Sequence, residues 1–445
     1  MASASSDDRG ERPRRVLVLG GYGMIGSYVL ARLHAAGFQV SAIGREISQA
    51  QRRFPYARWV AGDLRAMLAT ADWRPALADI DAVVNCAGAL QEGGRDSLQT
   101  VHVAAMAAML GACRDAGIRR VIQVSAIGIG PDSDTDFART KRDAEAVLQQ
   151  TDLDWLILRP ALVLAPVAYG GTAMLRGLAG IPFVTPVIEP DCRVQVVAVE
   201  DVAETVLRAL DPAMRARRIW ELMHPEAHRL AEIVGAYRAW LGWAPRPVVA
   251  VPPALGSLVA STADLLGRLG WRSPARTTAQ RQLAADVIGD PTGWISDLGL
   301  QPKSLAQILA AHPAGVQERW FARLYFLKPF GLAVLGLFWL FSGLIALGPG
   351  RESAIAVLTV SGVGDSAAQT VVALGASVDI VIGIAVAFRR FMPWALASMV
   401  AVSALYLIGG TFLRPDLWLD PLGVYLKIVP AGLAALLMLA VSDER

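Results

Sequence analysis

The chain has 445 residues, enough for two or three domains that each bury a core of their own. It is 54% hydrophobic and 18% charged, with a net charge of +3 and a mean hydropathy of +0.42. That balance argues against a wholly soluble enzyme, and no basic stretch is interleaved with aromatics, so nucleic acid is not an expected partner. Cys86, Cys113 and Cys192 are far apart and form no C-x-x-C pair, which argues against a disulfide framework or a structural zinc and fits a reducing compartment.

Residues 1–14 are polar and carry no apolar run of the kind a signal peptide needs, so they read as a flexible tail. From Arg15 to about Pro160, short β-branched runs alternate with helical patterns. "RVLVLG", "FQVSAIG", "ARWVAGD", "DAVVNCAG", "RRVIQVSAIG" and "LDWLILRP" read as buried strands. Such alternation implies an α/β class with a Rossmann-type, doubly wound parallel sheet.

Within this region "VLVLGGYGMIG" places Gly20, Gly23 and Gly26 between a strand and a helix that opens at Met24 and Ile25. Gly20 allows a sharp turn, Gly23 a close approach of backbone to a pyrophosphate, and Gly26 close packing of helix on strand. The helix N-terminus offers N–H groups to the phosphates. Arg45 closes the second strand, where a guanidinium can hold the 2′-phosphate of NADP. The adjacent Glu46 falls where a carboxylate would hold the ribose hydroxyls of NAD. Arg45 tips the expectation toward NADP(H) over NAD(H).

From 161 to 312 the pattern loosens. "VQVVAVEDVAETVLRAL" reads as one more strand and helix returning to the same core, and "RIWELMHPEAHRLAEIVGAYRAWLG" as a strand and an amphipathic helix. The rest is rich in Pro, Gly and Trp, as expected of a small lid made mainly of 161–195 and 217–312. His224 and His228 are four apart, but Pro225 and the missing third ligand make two surface histidines the better reading than a metal site.

Residues 313–328 read as a juxtamembrane linker. Residues 330–347, 366–388, 392–412 and 421–441 are each near the ~20 residues that cross a bilayer, so 329–441 reads as an all-α four-helix transmembrane bundle, followed by a short tail at 442–445. Arg319, Arg323, Lys328, Arg389, Arg390 and Arg445 gather at one side, against Arg351 and Arg414 at the other. The positive-inside rule then puts the N-terminal domain and the C-terminus in the cytoplasm. Residues 353–364 are too short to span. Asp379 lies inside the second span, where a lone carboxylate costs about 2.5–3.5 kcal/mol. It marks either a quinone or proton site or a helix–helix hydrogen bond, with Tyr406 at a depth closer to Lys427.

The glycine loop, "GDL" at 62–64, "NCAG" at 85–88, "VSAIG" at 124–128, the spaced Lys141, "LRP" at 158–160 and "VVAVEDVAE" at 196–204 occur in one order. Together they resemble an atypical extended short-chain dehydrogenase/reductase of the NmrA-like and complex I accessory-subunit branch, over roughly residues 14–310. The membrane part resembles the DoxX-like four-helix family. The resemblance implies that Asp63, beside Leu64, bonds the adenine amino group and that Ala87 and Gly88 line the cofactor. It also implies that Ser125 and Lys141 sit beside the nicotinamide ribose as the residues left to serve catalysis.

In that family a tyrosine four residues before the lysine moves the substrate proton. Here "FARTK" puts Phe137 in its place, and losing a general acid costs about 10²–10⁴ in rate. Two classes survive. One is a reductase of a quinone-like or lipophilic acceptor that needs no positioned phenol. The other is a non-catalytic NADP(H)-binding sensor or assembly protein at the membrane. A lipid- or isoprenoid-modifying reductase with an unrecognised acid is a third reading; Tyr169, on a loop after the sixth strand, reads as structural rather than as a residue that reaches the pocket.

Overall fold

The computed structural model describes residues 15–88, 97–130, 133, 135–271, 273–284 and 286–443. The tail expected at 1–14 and the last two residues of the tail expected at 442–445 lie outside them. The chain divides into two compact units: Met1–Ser261 with Pro274–Glu318, and Thr262–Ser273 with Arg319–Arg445.

In the first unit the elements run β1 (Arg15–Leu19), α1 (Met24–Ala35), β2 (Gln39–Gly44), α2 (Ile47–Arg53), β3 (Arg58–Ala61), α3 (Thr70–Leu77), β4 (Ala82–Asn85), a π-turn (Thr100–Ala104) leading into α4 (Ala105–Asp115), β5 (Arg120–Val124), α5 (Asp136–Gln149) and β6 (Asp154–Pro160). There follow β7 (Leu162–Leu164), α6 (Gly170–Ala179), β8 (Thr185–Val187), β9 (Arg193–Ala198), α7 (Val199–Ala209), β10 (Arg218–Leu222), β11 (Ala227–Arg229), α8 (Leu230–Trp240), β12 (Val248–Ala250), α9 (Pro253–Arg268, which passes into the second unit at Thr262), α10 (Thr277–Ala284), α11 (Thr292–Leu298) and α12 (Leu305–Ala311). The main sheet has the order β10-β6-β5-β4-β1-β2-β3, and every pair in it is parallel. Chain order reverses between β1 and β4, so the crevice beyond Leu19 and Asn85 is where an open α/β sheet binds its ligand.

Strand pleat explains the two layers. Val16 and Val18 face a core built with α1 and α7, whereas Leu17 and Leu19 face one built with α3, α4 and α5. All are at most 2% exposed, which is why these strands read as unbroken apolar runs.

Val197 of the strand at 193–198 and Val199, Val202 and Val206 of α7 join the core that holds Val16 and Val18, as expected, although the strand lies outside the main sheet. β9 pairs with β7 and β11 in a three-stranded sheet, and the edge of the main sheet is β10. Two pieces of the stretch expected as lid, β10 and α11, belong to the main layer: Trp294 of α11 is fully buried there and donates to Thr205 Oγ1 at 2.9 Å. His228 sits on strand β11 rather than on a helix with His224, and among the described residues no His, Cys, Asp or Glu cluster could hold a metal.

The second unit contains α13 (Val316–Leu347), α14 (Arg351–Val360), α15 (Asp365–Ala385), α16 (Met392–Leu413) and α17 (Val424–Ala440). The first, third and fourth of these are long and apolar enough to cross a membrane, and α17 is a shorter apolar helix of 17 residues. The residues expected as a linker are helical from Val316, with Pro329 inside α13. Small residues bring α13 and α15 together. A Cβ on Gly343 would stand 2.4 Å from Ala376 O, and one on Gly383 would stand 2.5 Å from Leu340 N. Asp379 is 5% exposed and accepts hydrogen bonds from Tyr406 Oη at 3.0 Å and Ser342 Oγ at 3.3 Å, tying α15 to α16 and α13. A buried carboxylate on an apolar helix is thereby given two donors.

Candidate functional site

The glycine turn leaves β1 at Gly20, whose φ of +69° favours a residue without a side chain. The approach is also close: a Cβ there would lie 2.9 Å from Ala87 Cα and N, and a Cβ on Gly26 would lie 2.2 Å from Gly20 O. Gly23 is the N-cap of α1, makes no side-chain cap, and turns back through its N–H to Gly20 O at 2.9 Å. The first-turn N–H groups, beginning with those of Met24 and Ile25, therefore point out of the helix with no intrahelical acceptor. With no side chain in the way, this cradle fits a pyrophosphate.

At the adenosine end, Asp63 and Leu64 follow β3 and Arg45 follows β2. Leu64 packs on the core and Arg45 is exposed. The resemblance assigns Asp63 to an adenine amino group, yet its carboxylate already holds Arg65, whose Nε stands 3.0 Å from both oxygens and whose Nη2 also contacts it. Arg65 beside it holds the Asp63 carboxyl below the usual range, and the charge of Arg45 adds to this. Two cations, Arg65 and Arg45, thus act on the Asp63 carboxylate. The Asp63–Arg65 pair was visible in the sequence as neighbours two apart, and sequence reasoning passed it over.

At the other end of the crevice, Ala87 and Gly88 follow β4. Ala87 N donates to Asn85 Oδ1 at 3.0 Å, and Asn85 Nδ2 donates to Gln123 Oε1 at 2.9 Å. Lys141, one turn along α5 from Phe137, is 5% exposed. Its Nζ donates to Val124 O at 3.1 Å and stands 3.1 Å from where a Cβ on Gly88 would be. Burial lowers the Lys141 pKa to about 8, against the partial support of Glu145 and Cys86. Ser125 is the next residue after Val124, and its Oγ is buried with no hydrogen-bond partner among the described residues. The structure therefore brings Lys141 Nζ to Gly88 and to Val124 O, one residue before Ser125, while Gly20 and Ala87 approach each other closely. Phe137 is half-buried on α5, one turn before Lys141. Tyr169 is 43% exposed at the N-cap of α6.

Sequence reasoning missed His102. It lies in the π-turn ahead of α4, is 4% exposed, and faces the Phe137 ring edge-on at 6.0 Å. Thr140 Oγ1 donates to Asp136 O at 2.8 Å, so it accepts from His102 Nδ1–H, also at 2.8 Å. Nε2 is then the unprotonated nitrogen, 3.6 Å from the Cβ position on Gly88. Burial, with the charge of Lys141, pushes the imidazole pKa down to about 3, so the ring is neutral. A single histidine in "TVHVAAMAAML" gives no signal by itself, and π-turns, which recur at functional sites, leave none in a helical pattern.

Known proteins agree with this layout. Residues 20–212 match the model of an NAD(P)H-binding family, and residues 336–438 match the DoxX-like family. Sterol demethylase protein B of Methylococcus capsulatus is 28% identical over 330 residues, which is 68% of this chain and 98% of that one. The NAD(P)H azoreductase of Xenophilus azovorans is 26% identical over 52% of this chain and 75% of its own. Among solved structures, the Bordetella bronchiseptica enzyme WbmH, in complex with NAD+, aligns with a TM-score of 0.53 at 17% identity, covering 69% of this chain and 99% of its own. UDP-glucose 4-epimerase of Thermotoga maritima aligns at 0.52 and 17% over 67% of this chain and 97% of its own. The chain thus joins an NAD(P)H-binding Rossmann domain of the short-chain-dehydrogenase-like kind to a DoxX-like membrane domain.

Proposed function

We propose that this chain is a membrane-anchored, NADPH-dependent reductase of a lipophilic acceptor, a quinone or a polycyclic carbonyl compound, that works without the usual tyrosine. The observation that carries this reading is a buried lysine whose Nζ stands at Gly88 and bonds Val124 O, the residue before a buried serine whose hydroxyl has no partner among the described residues, with a phenylalanine one turn back on the lysine's helix. Gly20, Gly23 and Gly26 with the first turn of α1 would hold the pyrophosphate, Arg45 the 2′-phosphate, and Ala87, Gly88 and Lys141 the nicotinamide half. The bound dinucleotide supplies a hydride. Ser125 Oγ then donates a hydrogen bond to the acceptor oxygen, and Lys141 Nζ, whose lowered pKa suits proton transfer near neutrality, delivers the proton and recovers one from solvent. Val124 O holds Nζ in place, and Phe137 and the neutral His102 bring no competing acid to the site. The names of the two curated relatives point to a sterol and to an azo compound as substrates of those proteins. A bilayer anchor would hold such a site close to its acceptor. The basic residues flanking the spans support a cytoplasmic nucleotide domain and C-terminus.

Phe137 itself favours a second reading, in which the chain binds NADP(H) without turnover and reports redox poise to a membrane partner. The test is NADPH oxidation by the full chain in lipid nanodiscs with short-chain quinones and a ketosteroid. Turnover above the cofactor's own decay is expected. Tight NADPH binding with no turnover on any acceptor would replace the reductase by the sensor.

A further inference from the structure

The helix α9 is built inside out. Its small residues Gly256, Ala260 and Ala263 are buried, whereas Leu255, Leu258, Val259, Leu265 and Leu266 are between 41% and 62% exposed. At 3.6 residues per turn its side chains sort into three faces. One is the small-residue face against protein, where Gln280 Nε2 donates to Gly256 O at 2.9 Å. A second is polar, made of Ser257, Ser261, Asp264 and Arg268. The third, an arc of about 120°, carries the five large apolar residues. A helix on a water-facing surface needs only two faces, so the third implies a neighbour that is itself apolar.

What that neighbour is follows from where the helix ends. The chain after Arg268 is fastened to the turn between α15 and α16. Arg389 N donates to Leu269 O at 3.3 Å, and Trp271 Nε1 donates to Ala387 O at 2.7 Å. This turn and the start of α16 present Phe388, Phe391 and Trp394, which are 39%, 51% and 77% exposed, among Arg389 and Arg390. Exposed aromatics mixed with arginines at the end of an apolar helix pair are the composition of the headgroup level of a bilayer. The C-terminal end of α9, with Leu265 and Leu266 on it, is thus tied to a point at the lipid–water boundary.

We infer that α9 is an interfacial membrane helix, lying with its leucine stripe in the boundary between headgroups and acyl chains and its serine, aspartate and arginine face in water. Its occupant is lipid rather than a second copy of the chain, because Leu265 and Leu266 directly precede the segment fastened, within the second unit, to a turn of exposed aromatics and arginines at the end of an apolar helix pair. This inference needs no assumption about turnover at the nucleotide site.

The test is nitroxide labelling of Leu258→Cys, Leu265→Cys, Ser257→Cys and Ser261→Cys in the full chain, one copy per phosphatidylcholine–phosphatidylglycerol nanodisc. The unsubstituted chain gives the background from its own three cysteines. Labels at 258 and 265 are expected to favour oxygen over a water-soluble nickel chelate by about tenfold more than labels at 257 and 261. Equal accessibility at all four positions would overturn the inference. So would spin–spin coupling at 258 that needs two copies per disc, since the stripe would then be an interface between copies. A carbene-generating lipid photolabel on the unsubstituted chain reads the same question without a variant: labelling within 255–266 is expected, and labelling confined to the spans contradicts it.

Discussion

Replacing Lys141 by methionine is expected to make the cofactor-free nucleotide domain more stable while weakening its hold on NADPH. The shift from 10.5 to about 8 measures how much the buried site disfavours the ammonium. At about 1.4 kcal/mol per unit that is about 3 kcal/mol of destabilisation at pH 7, where the lysine is charged both folded and unfolded. Methionine fills similar volume and leaves Val124 O hydrogen-bonded to Gln123 Nε2 at 3.0 Å, so most of that amount is recovered. At roughly 2–4 °C per kcal/mol, the melting transition should rise by several degrees. The sign can be checked with pH. Because the folded pKa lies below the unfolded one, the unfolded chain holds more protons between about pH 8 and 10.5. The stability of the unsubstituted protein therefore rises across that window, and the variant loses the rise. Loss of the charged donor should weaken NADPH binding by about 10- to 100-fold. The assay is differential scanning fluorimetry of the full chain in nanodiscs, following the transition that NADPH shifts. A variant that melts lower than its parent at pH 7 and keeps the same alkaline rise would refute the reasoning.

Restoring the family phenol with Phe137→Tyr should raise the rate on a simple carbonyl acceptor by about 10²-fold or more, read as NADPH oxidation; no change would mean that the pocket lacks more than the acid. Arg45→Ala should cut the preference for NADPH over NADH by about tenfold or more in paired calorimetric titrations, and an unchanged ratio would point to Arg65 or to no 2′-phosphate site at all. Gly26→Ala places a Cβ 2.2 Å from Gly20 O, so NADPH affinity should fall at least about tenfold with the membrane unit intact.

The sheet was legible because parallel strands buried on both sides must be short, apolar and β-branched, and six such runs became β1 to β6 in register. The glycine turn was legible because close approach leaves no alternative residue. Burial alone could not say which sheet a strand joins. Arg193–Ala198 is as apolar as any central strand, yet it pairs with β7 and β11, while the less apolar Arg218–Leu222 closes the main sheet. A family pattern singled out Lys141 and Gly88, and the fold brings Lys141 Nζ close to Gly88. His102 was not singled out, because its place depends on a π-turn and on a threonine from another helix. The stripe on α9 was present in the sequence as spaced leucines, but only the fold shows that they point away from protein.

The claim that a lysine supplies the proton in place of a phenol is tested most directly by the pH dependence of kcat/KM for NADPH with a lipophilic acceptor. Lys141 must be protonated to act, so the value should fall about tenfold per pH unit above pH 8, the range its burial sets. A profile that stays level to pH 10 would contradict it.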